Sequence, residues 1–430
     1  MPLLVNDAIL TLCHAQVLRG PVSAARTSQK AENNRCEPRE AVVDLAAEQQ
    51  LGGTDMPSSR VLFTSLSVCA ALAASSGAIS DDTDFITGEG LPNPNPVVIP
   101  NWGDLPAGRN WGSTAGIDID PNDGHIWAYE RCGASSFGGG VPVNCDTNPV
   151  DPIFKFNRHT GEVMANFGGG LMQTPHGIHA AADGTVWVTD FAASADGSKG
   201  HQVHQFSADG DLLMSLGTPG QTGTGPDTFN QPNDVIVGPD GSIYVSDGHN
   251  GQGMTSNQAM EEGRAAGNTA RIMKFAPDGT FIKQWGEIGV RHGEFRTPHA
   301  MEFDAYGRLW VADRGNHRIE IFDQQGNYLD SRYAYGRISG LFITDDAMVY
   351  AIDSESSPTN HVGWRNGVRI GPVDEDVIVG FIQPFDRPDR IGQGTAGEGV
   401  AVDADGNVYA AEGPNSLSWA GGAFTMYEKR

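Results

Sequence analysis

The chain has 430 residues, 39% hydrophobic, with 56 glycines and only 19% charged side chains, a balance that suits a turn-rich all-β repeat protein better than a helical one. Its 28 basic against 53 acidic residues give a formal charge of −25. That argues against nucleic acid or an anionic membrane as the main partner, because both need clustered cations.

Residues 1–55 show no clear periodicity and read as an upstream segment left by the choice of start site. Met56-Pro57-Ser58-Ser59-Arg60 then leads into the apolar run Val61 to Ala74 and the small residues Ser75-Ser76-Gly77-Ala78. This is a secretory signal layout, too short to span a bilayer as a stable helix. The expected organisation is a signal peptide over 56–78, a linker over 79–96 and a folded domain over 97–430. The mature protein is expected in the periplasm or outside the cell, with no membrane contact once the signal is cleaved. Cysteines stand at 13, 36, 69, 132 and 145, and export would discard the first three. Cys132 and Cys145 are then disulfide candidates in an oxidising compartment. The rival, a thiolate metal site, would need a second Cys or His pair.

After residue 97 the chain repeats a unit: a small-residue strand, Asp-x-x-Gly, a Trp/Tyr-Val-x-Asp strand, a third strand, a turn and a strand ending in Gly. Aligned on the first strand, the units open at Ala115, His176, Asn233, His299, Ser339 and Glu398. Five of these stand 14 residues before Asp190, Asp247, Asp313, Asp353 and Glu412. Six four-stranded units predict a six-bladed β-propeller. The last repeat stops at Phe424-Thr425-Met426-Tyr427, so the segment Val97 to Gly103 is expected to complete blade six and close the ring. The long insertions Gly133–Asn148 and Gly248–Asn268 are expected to roof one face.

First strands line a propeller channel, so the six opening positions form one girdle holding His176, His299 and Glu398. Two imidazoles and a carboxylate around an open position match a pattern of catalytic zinc, which acidifies bound water toward a pKa of roughly 7. Calcium could sit at a neighbouring oxygen-rich place. The bland alternative is hydrogen bonding across a wet channel. After the second strands come Glu130-Arg131, Asp247-Gly248-His249, Asp313-Arg314 and Asp353-Ser354-Glu355. Their recurring acid reads as a turn tie. Arg131 and Arg314 could hold a substrate carboxylate or developing oxyanion and His249 could move a proton, or each could be a surface ion pair.

With Pro175-His176-Gly177 before Trp187-Val188-Thr189-Asp190, Gln231-Pro232-Asn233-Asp234 before Tyr244-Val245-Ser246-Asp247-Gly248, and Pro298-His299 before Val311-Ala312-Asp313-Arg314, the span 97–430 resembles the NHL-repeat propellers. In particular it resembles the peptidyl-α-hydroxyglycine α-amidating lyases. The resemblance implies zinc on three channel histidines, a nearby calcium, a tyrosine base and an arginine. His176 and His299 match the first two ligands and Arg131 the arginine. The third histidine is Glu398 here, the tyrosine is His249, and the family's calcium aspartate is Gly399. The implied protein is a monomeric, secreted or periplasmic metal-dependent lyase or hydrolase acting on a small-molecule or peptide-derived amide, ester, lactone or hydroxyglycine-like substrate. Two alternatives remain. One is a calcium-dependent lactonase of gluconolactonase type, with Glu398, Asn233 and Asp353 as ligands. The other is a non-catalytic NHL binding platform.

Overall fold

The structure is a computed structural model that describes residues 84–109, 111–133, 144–384, 397–411 and 424–430. The upstream segment, the expected signal peptide and Glu412 lie outside these residues. The described residues form six four-stranded antiparallel sheets, a six-bladed propeller. Blade one comprises Ile117–Ile119, Ile126–Tyr129, Ile153–Phe156 and Val163–Phe167; blade two Pro175–Ala180, Val186–Asp190, Gln202–Phe206 and Leu212–Leu216. Blade three comprises Pro232–Val237, Ile243–Asp247, Arg271–Phe275 and Phe281–Trp285; blade four Pro298–Phe303, Leu309–Asp313, Arg318–Phe322 and Tyr328–Arg332. Blade five comprises Ile338–Ile343, Met348–Asp353, Gly367–Pro372 and Gly380–Ile382. In blade six, Gly399–Val402, Val408–Ala411 and Phe424–Glu428 are joined on the outside by Val97–Pro100, which pairs from Val97 opposite Glu428 to Pro100 opposite Thr425. Trp102 carries the contact inward, its ring 5.0 Å from that of Tyr409.

The second strands are rich in β-branched and aromatic residues and bury both faces, as in Leu309–Asp313, because they lie between neighbouring blades. Trp127, Trp187 and Trp310 anchor the hydrophobic layers there. Each such side chain contributes about 2–3 kcal/mol on burial. The turn acid is tied to the ring that follows it: Trp127 Nε1 donates to Asp120 at 3.0 Å and Trp310 Nε1 to Asp304 at 2.8 Å. The acid ending the second strand ties the entry to the first. Asp190 accepts from the backbone N–H of Gln173 (3.0 Å) and Thr174 (2.7 Å).

The inner strands approach so closely that the residue after the opening position is glycine in four blades. A Cβ on Gly177 would lie 2.6 Å from the Asn233 carbonyl, and one on Gly399 2.6 Å from that of Ala115. Packing around the axis therefore accounts for Gly399.

Residues 84–96, expected as linker, run along blade five. Ile86 O accepts from Arg365 N at 2.9 Å, and Pro92 O from Phe381 N at 3.0 Å. The insertion after Gly248 folds into a 3-10 turn, His249–Gly253, and a helix, Asn257–Ala265, whose first turn is capped by Ser256. The other insertion lies partly outside the described residues. Among the described residues no helix is long and apolar enough to cross a membrane.

Candidate metal centre

Ala115, His176, Asn233, His299, Ser339 and Glu398 line one channel cavity of about 50 Å³. The inner strands fix the two histidines in the same way. His176 Nδ1 lies 2.9 Å from the Asn233 carbonyl and His299 Nδ1 2.6 Å from that of Ser339, each carbonyl belonging to the next blade. A carbonyl only accepts, so both Nδ1 atoms carry the proton and both Nε2 atoms keep a lone pair. His299 Nε2 is buried with no partner.

A third imidazole comes from outside the girdle. The turn His249–Gly253 delivers His249, and its ring centroid lies 5.6 Å from that of His176 and 5.4 Å from that of His299. Ligand atoms of the three rings all lie within 4.8 Å of one another. Phe191 steadies two of them, stacked on His176 at 5.2 Å and edge-on to His249 at 4.9 Å. Burial pushes all three histidines well below the usual imidazole pKa, and Arg314 adds to the effect on each, with Arg131 the larger of the two at His176. The rings are therefore neutral, as metal ligands must be. The donor chemistry fits an ion: the same cavity holds orphaned acceptors at His299 Nε2, Asn233 Oδ1 and Glu398 Oε2, and a cation satisfies acceptors.

The set that comes together is thus His176, His249 and His299, in place of the expected His176, His299 and Glu398. Glu398 stands outside that group and faces Arg314, whose Nη1 is 3.7 Å from its Oε1. Burial raises its pKa and Arg314 opposes the rise. His249, expected to move a proton, joins the two girdle histidines because it sits on the turn His249–Gly253, which leaves the repeat pattern. Asp353 is not in the channel wall. It ties its turn, accepting from Arg337 N at 3.0 Å and Ser356 Oγ at 2.6 Å. Asn233 does face the cavity, with Nδ2 donating to Pro298 O at 2.8 Å.

Both expected arginines are buried beside the triad. Arg131 Nε donates to Pro175 O at 3.0 Å, and its neighbour Cys132 forms a disulfide with Cys145. Arg314 Nη2 donates to His249 Nε2 at 2.8 Å and to Gln252 Oε1 at 3.0 Å. Spacing within the repeat missed Phe191, Gln252 and Arg337. Phe191 had a signal, since it follows its strand-end acid just as Arg131 and Arg314 follow theirs. Three residues past the girdle, Asp118 pairs with His179 at 3.0 Å, and beside them burial raises Glu302 strongly and Asp234 to about 7. Asp118 and Asp234 also each accept a backbone N–H from the inner strand of the next blade, Ala180 and Met301 respectively, so they pin inner strands together.

No family model matches the chain. Over 158 residues it is 37% identical to NHL repeat-containing protein 3 of Homo sapiens, covering 36% of this chain and 40% of that protein. It is 28% identical to peptidyl-glycine alpha-amidating monooxygenase A of Xenopus laevis over 336 residues, 72% of this chain and 31% of that one. It is also 28% identical over 312 residues to the probable peptidyl-alpha-hydroxyglycine alpha-amidating lyase pgal-1 of Caenorhabditis elegans, 70% of this chain and 80% of that one. The chain is an NHL-like propeller resembling the amidating lyases. It spans 40% of the length of the first of these relatives and 31% of the second. Among solved structures, a gluconolactonase from Xanthomonas campestris aligns with a TM-score of 0.46 at 14% identity, over 76% of this chain and 88% of that one. A virginiamycin B lyase from Staphylococcus aureus aligns with a TM-score of 0.44 at 15% identity, over 74% and 82%.

Proposed function

We propose that this propeller is a secreted or periplasmic metal-dependent lyase or hydrolase, similar to the amidating lyases, acting in its channel on a small amide, ester or hydroxyglycine-like substrate. The observation that carries the reading is the three neutral, buried imidazoles with ligand atoms within 4.8 Å of one another, two of them with Nδ1 committed to a backbone carbonyl so that Nε2 keeps its lone pair. His176, His249 and His299 would hold the ion, and imidazole donors favour zinc over calcium. Bound there, zinc supplies Lewis acidity toward a substrate oxygen or water. The chain's own part is to orient and to exclude water. Inner strands and Phe191 fix the imidazoles, the small cavity limits solvent, and Arg131, held at Pro175 O, offers its charge to a carboxylate or developing oxyanion.

A calcium-dependent lactonase has one observation in its favour, the orphaned Asn233 Oδ1 and Glu398 Oε2 in the same cavity. Asp353, which would have been a further oxygen ligand, is engaged in its turn. Metal analysis of the purified protein separates the two: stoichiometric zinc supports the first reading, and calcium alone supports the second. The test of function is the double variant His176→Ala/His299→Ala, assayed on α-hydroxyglycine derivatives, amides, esters and lactones. Loss of metal and turnover together is the expected result, and full retention would leave a binding platform. Export predicts an N-terminus near residue 79 by mass spectrometry of the secreted form, whereas one near residue 1 would count against it.

A further inference from the structure

Two of the three imidazoles are set by main-chain carbonyls, but the third is held by a side chain. His249 Nε2 takes an N–H from Arg314 Nη2 at 2.8 Å. A guanidinium can only donate, so the single lone pair of neutral His249 lies on Nε2 and is committed to Arg314. While that bond lasts, neither ring nitrogen of His249 can bind an ion. Gln252 keeps the arginine there. It stands three residues on in the same 3-10 turn, where residues i and i+3 eclipse. Its Oε1 accepts from Arg314 Nη2 (3.0 Å) and Arg337 Nη2 (2.7 Å), and its carbonyl accepts from Arg296 Nη2 (2.7 Å).

A second resting place for Arg314 is visible and incompletely used. Glu398 Oε1 lies 3.7 Å and Glu355 Oε1 3.5 Å from Nη1, both too long for a hydrogen bond. Arg314 Nε and Glu398 Oε2 are both buried without partners. A donor and an acceptor on the two sides of one long ion pair, each unsatisfied, describe a closer pairing that a small pivot would complete.

Resting on the histidine-triad reading above, we propose that Arg314 is a displaceable latch on the third ligand, and that Glu398 is the partner to which Arg314 moves when an ion takes His249. Glu398 then acts through Arg314 and is a positioning residue, not a ligand. Ion binding and the Arg314–Glu398 pair form together.

The test measures zinc affinity by competition with a chelating dye. If the latch is open about a tenth of the time, Arg314→Met tightens zinc binding about tenfold by removing that restriction. Glu398→Gln weakens it in the otherwise wild-type protein, and has no effect in the Arg314→Met background, because its influence runs through Arg314. An Arg314→Met variant that binds zinc no better than wild type overturns the latch, and an undiminished effect of Glu398→Gln in that background makes Glu398 a ligand. Should Arg314→Met fail to fold, a zinc-soaked crystal of the wild-type protein decides the matter. Arg314 off His249 and hydrogen-bonded to Glu398 is expected; Arg314 still on His249, or Glu398 on the zinc, overturns the proposal. Zinc binding that survives His176→Ala/His299→Ala unchanged, or is absent from the wild type, rejects the triad reading itself and the latch with it.

Discussion

His176 and His299 are held alike: each gives its Nδ1 proton to the opening residue of the following blade, Asn233 and Ser339 respectively, and the two rings lie 4.9 Å apart. Their tautomers are thus fixed by backbone that cannot rotate away. His299→Ala removes one such donor and leaves two imidazoles. Since loss of mere supporting groups around a metal costs 10–100-fold, loss of a ligand is expected to weaken zinc binding about 100-fold or more. Isothermal titration checks this, and an affinity within a few-fold of wild type would count against the site.

Gly177 lets two inner strands touch. A Cβ there would meet Asn233 O at 2.6 Å and Asp234 Cα at 2.7 Å, both backbone atoms, so the neighbouring strand must move. Gly177→Ala is expected to cost about 1–3 kcal/mol, as overpacking does, and to weaken ion binding because His176 is adjacent. Gly184→Ala is the control. That turn glycine has φ +85° with nothing near its Cβ position, so it should cost about 1 kcal/mol and leave the ion unaffected. Urea unfolding with zinc titration compares them.

The disulfide lies in blade one, whereas the three histidines come from blades two to four. Cys132→Ser/Cys145→Ser, which opens a 13-residue separation, is expected to lower stability by about 3 kcal/mol. Arg131 keeps its place through its backbone bond to Ser113 O (3.0 Å), so zinc affinity should stay as in wild type. A loss of affinity equal to that of His299→Ala would contradict this separation.

Asp190 is buried and its pKa is raised to about 7, burial outweighing the two backbone N–H donors. In the unfolded chain it titrates near 3.8. Between these values the folded state holds the extra proton, so this group's stabilising effect is complete below about pH 4 and is lost as pH rises through about 7. The stability of wild type relative to Asp190→Asn should therefore fall by a few kcal/mol from pH 5 to pH 8. Chemical denaturation at both pH values measures it, and a constant difference would show that Asp190 stays ionised.

The propeller was legible because its signal is periodic. The 14-residue interval from opening residue to strand-end acid is a constant of the hairpin, so His176 and His299 had to share a level. The third imidazole was not legible in the same way. His249 sits on an insertion whose course depends on Gly248, with φ 122°, and on packing against the next blade, and no repeat encodes that. Glu398 holds the girdle position, yet its partner is an arginine three-dimensionally close and far along the chain, which spacing does not reveal. Gln252 looks like loop filler until the arginines that converge on it are placed.

The pairing of Val97–Pro100 with Phe424–Glu428 joins the first strand to the last among the described residues. Nascent chains interrupted before Phe424 leave that first strand with no partner in its blade, and chains clipped after Pro100 leave the final strand with an open edge. The seam therefore makes blade six depend on two segments more than 320 residues apart, so the ring is shut only when both are folded together.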